Sequence, residues 1–276
     1  MQTRQMTSPG IGGLDLHCQA WLPDGPPRAV IVAAHGLAEH SGRYARVAAD
    51  LVAQRYGVYA IDHRGHGRSP GERANIGRFE YVVSDFCTFA GRTVRQHVDT
   101  PVLLLGHSMG GAVAFASALR LQGTIHGLVL SAPALGLVEP PPPLQRLLAQ
   151  ALSVFAPNAG AMQLQPRHIS RDAAVVREYE ADPLVHHGPV PARTVVELLR
   201  AMESFEWQAM QLRLPTLVLH GTADRLVPIA GAMPVWEAIE PRYRTVREYD
   251  GLYHEVLNEP ERAQVLRDLL QWLAGV

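Results

Sequence analysis

The pentapeptide Gly106-His107-Ser108-Met109-Gly110 constrains this chain more than any other segment. An apolar run, Val102 to Leu105, leads into it, and small residues, Gly111-Ala112-Val113-Ala114-Phe115-Ala116, follow it. Buried strand, sharp turn and helix are the context that turns a weak five-letter pattern into a strained elbow with a serine at its apex. The small neighbours let strand and helix approach each other, and the turn holds the serine hydroxyl clear of the sheet. Without that context the segment would read as a glycine-rich turn with an incidental serine.

An elbow of this kind needs a sheet around it. Buried-strand runs occur at Ala29–Ala34, Val58–Ile61, Val102–Leu105, Leu128–Ser131, Thr216–Leu219 and Arg244–Tyr249. Helical periodicity fills the gaps: Tyr44, Val47, Ala48, Leu51 and Val52 share one face, as do Phe79, Val82, Val83, Phe86 and Ala90. A last helix is expected to open with Pro260 in its first turn and to bury Val265, Leu266, Leu269 and Leu273. Such alternation predicts an α/β fold, a mostly parallel sheet with helices on both sides. Asp15–Leu22 alternates more and is expected as an antiparallel edge strand.

One segment breaks the rhythm. Between Ala134 and Leu214 no strand is expected, and Leu135–Gln211 begins with Glu139 and four prolines before turning helical. Leu144, Leu147, Leu148, Ala151, Leu152 and Phe155 share a face of its first helix, and two more helices are expected near Asp172–Glu180 and Ala192–Met210. Placed above the carboxyl ends of a parallel sheet, this insertion would roof the ligand crevice. The expected division is a core of residues 1–134 and 212–276 with a helical cap of 135–211. The first cap helix is expected to pack its apolar face and help wall an acyl tunnel.

Composition excludes several classes. With 276 residues, 47% hydrophobic, the chain suits one large α/β domain or one domain with an insertion. A net charge of -1, with no long basic run, gives no reason to expect nucleic acid. Thirteen histidines are scattered, and the pairs His63/His66 and His186/His187 lack companion ligands at zinc-like spacing, so they are expected as loop and surface residues. Two cysteines, Cys18 and Cys87, make no disulfide framework and suit a reduced compartment. Met1 to Gly10 is polar and shows no secretory signal, and no apolar stretch reaches membrane-spanning length. A cytoplasmic protein is expected.

A serine hydroxyl is a poor nucleophile unless a base takes its proton and a carboxylate orients that base. On a sheet of this type the partners follow the serine as an acid and then a histidine, on loops after later strands. Asp224 stands just beyond Thr216–Leu219, and His254 is the sole histidine beyond Arg244–Tyr249. Asp250 is expected to cap a turn instead, and Asp62 to hold the turn Asp62–Gly67. For the oxyanion, the N–H groups of Met109, after the serine, and Leu37, after the Ala29–Ala34 strand, are the candidates. His35 is expected to shape that loop.

The segment His35-Gly36-Leu37-Ala38-Glu39-His40-Ser41-Gly42-Arg43-Tyr44 resembles the signature of the monoglyceride (monoacylglycerol) lipase family of α/β-hydrolases, bacterial type. The likeness extends through Asp62–Ser69, Gly106–Gly111, Ser131–Ala134, Asp182–Val185, His220–Arg225 and Leu252–Glu255, nearly the whole chain. It implies an α/β-hydrolase fold with a cap, Ser108, Asp224 and His254 as a catalytic triad, and Leu37 and Met109 as oxyanion donors. It also implies that Glu39, Arg43 and Tyr44, with His107, organise the end where glycerol sits. Two positions depart: Leu257 stands where some relatives place a glycerol-contacting histidine, and Val227 where some carry a reactive cysteine. The activity so implied is cleavage of monoacylglycerols to fatty acid and glycerol through an acyl-enzyme, without metal or organic cofactor, with possible lipid-interface contact through the cap. A carboxylesterase or lysophospholipase with another small alcohol as leaving group stays open, as does a non-catalytic binding protein, which would usually have lost a triad member.

Overall fold

A computed structural model describes residues 1–276. The first half runs β1 (Gln2–Gly10), β2 (Leu14–Leu22), β3 (Ala29–Ala34), α1 (Ala45–Ala53), β4 (Tyr56–Ile61), α2 (Phe79–Gln96), β5 (Val102–His107), α3 (Met109–Leu121) and β6 (Gly127–Ser131). Then come α4 (Pro143–Phe155), β7 (Gly160–Met162), α5 (Ala173–Ala181), β8 (Val190–Pro191) and α6 (Ala192–Ala209). The chain closes with β9 (Thr216–Gly221), α7 (Ile229–Glu237), β10 (Arg244–Tyr249) and α8 (Arg262–Leu273).

Eight strands form one sheet in the order β1-β2-β4-β3-β5-β6-β9-β10. From β4 to β10 every pairing is parallel, while β2 joins both β4 and β1 antiparallel. Alternate strand residues face opposite sides, and both sides are buried. Val30, Val32, Val102, Leu104, Leu128 and Leu130 enter one core, beneath α2 and α3. Ile31, Ala33, Leu103, Leu105, Val129 and Leu217 enter the other, beneath α1 and α8. Two covered faces explain why these strands are continuous apolar runs.

Three expectations need correction. The strand over Leu14–Leu22 is not the edge, because β1 pairs along its whole length outside it. Six of the nine residues of β1 are exposed and only Met6 packs on the apolar core, so backbone bonds do most to fix it and no apolar alternation advertises it. The last helix opens at Arg262, two residues after Pro260: the Glu259 carbonyl accepts the Arg262 N–H, and the Glu259 carboxylate is engaged by Arg171 and the Tyr253 N–H. The third correction concerns the insertion between β6 and β9, which holds two short antiparallel strands, β7 and β8, where none was expected.

Its inner helix, α6, contributes Leu198, Phe205 and Ala209 to the core beneath α2 and α3. Its outer helix, α4, packs on α6 and is tied to it by an Arg146–Glu203 ion pair. Of its side chains only Ser153 is buried, while Leu144, Leu147, Leu148, Val154 and Phe155 are exposed. The apolar face expected to pack inward therefore faces water: one helix lying on one helix leaves most of its circumference uncovered. No helix is long and apolar enough to cross a membrane.

Candidate active site

Ser108 joins β5 to α3 with φ 55° and ψ -122°, a conformation that side-chain-bearing residues rarely adopt. Neighbouring backbone holds it there. The Ser108 N–H donates to the Ser131 carbonyl at 3.1 Å, and the Ser108 carbonyl accepts from Ala134 at 2.9 Å and from Gly111 at 2.9 Å. Glycine is required on both sides: a Cβ on Gly110 would collide with the Ala34 and His35 carbonyl oxygens, and one on Gly106 would lie 2.6 Å from the Ala114 Cβ. The close approach expected from the small residues is thus realised by β3, β5 and α3 together.

The ends of β9 and β10 deliver the other two candidates. His254 Nδ1 lies 2.7 Å from Asp224 Oδ2, and both side chains are buried. The other Asp224 oxygen accepts the N–H groups of Leu226 and Val227, at 2.8 and 3.0 Å, which orients the carboxylate. Burial works against the charge on Asp224, but His254 beside it, hydrogen bonds from His220 and His254, and the Val227 N–H keep its pKa well below the ordinary carboxylate value. Burial also disfavours a charged His254, yet Asp224, followed by Glu255 and Glu39, raises its pKa above the usual histidine value. With Nδ1 bonded to Asp224, His254 has Nε2 left to accept a proton. Asp250 instead accepts from the Thr222 hydroxyl at the surface, as a turn partner.

Ser108 and His254 line one cavity of about 560 Å³ together with Leu37 and Met109. The Met109 N–H, at the first position of α3, has no helical carbonyl behind it, and the Leu37 N–H meets no protein acceptor. The Leu37 loop is held on both sides: the Gly36 N–H donates to Glu39 Oε1 at 2.5 Å, and the Ala38 carbonyl accepts the His186 N–H of the insertion at 2.8 Å. His40 Nε2, 2.8 Å from Asp182, adds a second tie to the insertion.

The cavity has one polar end. Arg43 Nη1 lies 2.6 Å from Glu39 Oε2 and 2.6 Å from Glu255 Oε1, while Nη2 reaches Glu255 Oε2 at 2.9 Å. The Tyr44 hydroxyl donates to Glu39, and the guanidinium lies 4.9 Å over the Tyr179 ring. Burial opposes the Glu39 charge, but Arg43, His107 and His35 hold its pKa down to about 2. The His107 ring lies 4.6 Å from that of His254, tilted by 52°, and has Nδ1 3.0 Å from the Ser131 carbonyl, so Nδ1 carries the proton and Nε2 is an acceptor. Burial, reinforced by His254, lowers its pKa to about 4 and keeps it neutral. Seven of the nine residues singled out in the sequence line this cavity; Asp224 reaches it only through His254, and Tyr44 borders a small recess behind it, shared with Glu39, Arg43, His107 and Glu255.

Glu255 was missed as a site residue, although it follows His254 directly; only the fold shows that it grips Arg43. The apolar walls come from α6, through Val195, Leu198, Leu199 and Met202, and from Leu137 and Val138 before the prolines. No residue of α4 lines the cavity, which corrects the expectation that Leu144–Phe155 forms a tunnel wall. His63 and His66 are also corrected: they are fully buried, with rings 4.4 and 5.3 Å from His35. Gly65 and Gly67, both at positive φ, fold their loop back beneath β3, and Asp62 pins it by accepting Ser41 and Arg68 N–H groups. His35 spends Nδ1 on the Gly36 carbonyl and Nε2 on the His63 N–H, the loop-shaping role expected of it.

A mostly parallel sheet with helices on both faces, and a serine at a strained strand-to-helix turn, define an α/β-hydrolase of the serine-hydrolase class. The chain belongs to the family described as "Serine aminopeptidase, S33", whose model matches residues 25–261. It is 41% identical over 266 residues to a monoacylglycerol lipase of Mycolicibacterium smegmatis, covering 96% of this chain and 95% of that one. It is 37% identical over 273 residues to the monoglyceride lipase of Homo sapiens, covering 95% and 88% of the two. The crystal structure of Paleococcus ferrophilus monoacylglycerol lipase superposes with a TM-score of 0.82 at 31% identity, over 94% of this chain and 98% of that one.

Proposed function

We propose that this enzyme hydrolyses monoacylglycerols to free fatty acid and glycerol, with Ser108 as nucleophile, His254 as general base and acid, and Asp224 as its orienting carboxylate. The observation that carries the reading is the buried 2.7 Å His254–Asp224 pair on the wall of the cavity that holds Ser108. His254 Nε2 takes the Ser108 Oγ proton as the hydroxyl attacks the ester carbonyl. The N–H groups of Leu37 and Met109 receive the oxyanion, each donor contributing about 3–4 kcal/mol in the transition state. His254 then returns the proton to the departing glycerol oxygen, and a water activated by the same nitrogen releases the acid. Asp224 fixes the tautomer and steadies the imidazolium.

The acyl chain lies along α6 and Leu137–Val138. Free glycerol hydroxyls meet Glu39, Arg43, Tyr44 and the His107 Nε2. A di- or triacylglycerol would put acyl chain where hydroxyls belong, and each buried polar group left unpaired costs about 1–3 kcal/mol. Residues 135–211 act as a cap on a core of 1–134 and 212–276. The outward leucines of α4 support a reading in which that cap binds a lipid surface peripherally and so gains access to the substrate. Hydrolysis of mono-, di- and triacylglycerols over several chain lengths tests the reading. Monoacylglycerols should be preferred over triacylglycerols by about 10–100-fold, with specificity rising with chain length and then levelling. Triolein cleaved as fast as monoolein would overturn it.

A further inference from the structure

The polar end is unbalanced in charge. Two carboxylates, Glu39 and Glu255, share one guanidinium, Arg43, and all three side chains are at most 12% exposed. Glu39 stays ionised with a pKa near 2. His107 and Tyr44 contribute no positive charge, since burial keeps the imidazole neutral and Tyr44 is a phenol donating to Glu39. Arg43 has little to offer an incoming anion, because three of its N–H groups are spent on carboxylates and one face lies over Tyr179. The recess behind, about 30 Å³, adds Asn258 and Ser131 but no cation.

Resting on the alcohol-end assignment made above, we infer that the buried Glu39–Arg43–Glu255 cluster selects the leaving group by charge, admitting neutral polyols and rejecting alcohols that carry phosphate. An alcohol bearing a phosphate would bring negative charge up to a site whose own net charge is already negative. At a separation of about 8 Å and an effective dielectric near 20, one unit of such repulsion lowers binding by about 30-fold. Neutral hydroxyls meet no such barrier and find acceptors in the His107 Nε2 and the carboxylate oxygens. The same excess charge lies beside His254 and favours its imidazolium, so charge rejection and support of the base come from one cluster.

The test uses the whole enzyme and three decanoyl esters at concentrations below micelle formation: decanoylglycerol, its 3-phosphate, and the dimethyl phosphate triester of that phosphate. The triester keeps the bulk and removes the charge. The expected kcat/KM falls by about 30-fold or more from decanoylglycerol to the phosphate, with the triester recovering most of that loss. In Glu255→Gln the ratio between triester and phosphate should shrink by about tenfold, whatever the variant's absolute rate. A phosphate cleaved as fast as decanoylglycerol overturns the inference, and so does a triester rejected as strongly as the phosphate, which would make the exclusion steric. If Glu255→Gln does not fold, the wild-type comparison of triester and phosphate decides alone. Failure of the monoacylglycerol reading looks different: decanoylglycerol itself would then not be turned over.

Discussion

Phe115 and Phe155 lie on helices of equal length, α3 and α4, each thirteen residues. Phe115 is wholly buried, whereas Phe155 is 87% exposed. The first helix leaves the elbow and is enclosed by α2, by the sheet and by α6. The second hangs from a proline run and touches α6 on one side. Periodicity records which face of a helix is apolar; it does not record whether a neighbour is there to cover it. The enclosed helix begins at the strained Ser108 turn, and the uncovered one carries none of the cavity wall.

The largest expected effect lies at the start of α3. Ser108→Ala should lower kcat by about 10³-fold or more, with His254→Ala about as severe, since these residues act as a unit. Circular dichroism and the melting temperature should stay those of the parent. Retention of a tenth of the activity would remove Ser108 from the nucleophile's role.

The next effect measures the contrast itself. Phe115→Ala should cost about 3–5 kcal/mol in urea unfolding, because the core cannot close over the cavity it leaves. Comparable loss from Phe155→Ala would mean that α4 is covered after all.

Acid should act on the enclosed side of the molecule and not on α4. Burial, with the neighbouring histidines, lowers the pKa of His66 to about 3 and that of His63 well below the usual value. Their folded pKa values lie below the unfolded ones, so the unfolded chain binds more protons at low pH. This contribution to stability is intact above about pH 6.5 and is lost as pH falls below it. For His66 alone the loss at pH 5 is roughly 2 kcal/mol. Activity should fail earlier, because the raised pKa of His254 removes the neutral base at a pH above 6.5. Replacing His66 with Asn should flatten the stability profile between pH 6.5 and 5; an unchanged profile would place the acid sensitivity elsewhere.

Two smaller effects belong to α4. Leu144→Ser with Leu148→Ser should weaken binding to phosphatidylcholine vesicles by about tenfold, each partly inserted leucine contributing about 0.7 kcal/mol. Turnover of a short, dissolved ester should not change, because neither residue lines the cavity. Unaltered vesicle binding would break the peripheral-membrane assignment. Phe155→Ala should move folding stability by no more than about 0.5 kcal/mol, the ordinary value for an exposed position.

What the sequence made legible follows the same division. Ala29–Ala34 was bounded to the residue, and the other inner parallel strands within two, because burial on both faces writes the strand into its composition; the half-exposed edge strand Arg244–Tyr249 was bounded without that help. Chain order and loop placement sufficed to single out Asp224 and His254, which the fold brings to 2.7 Å. β1 was invisible because it rests mainly on backbone bonds and sends only Met6 against the apolar core. The burial of His63 and His66 depends on how two glycines fold a loop back, and Glu255 gains its place only when the fold brings it to Arg43, more than 200 residues earlier. The direction of α4 belongs to this group too, since it is set by an absent neighbour.

The carbonyl of Ser108 and the N–H of Ala134 form a 2.9 Å bond, and Ala134 is the last residue before the insertion leaves the core. The insertion is therefore rooted on the very backbone that holds the serine's strained turn. Bending at Ala134 would slacken the serine, so any excursion of the insertion has to flex further out. Gly136, pressed against the Gly231 carbonyl of α7, braces the next step of the chain. Mechanically, the outer helix can shift while the Ser108 turn keeps its position: the root isolates the one from the other.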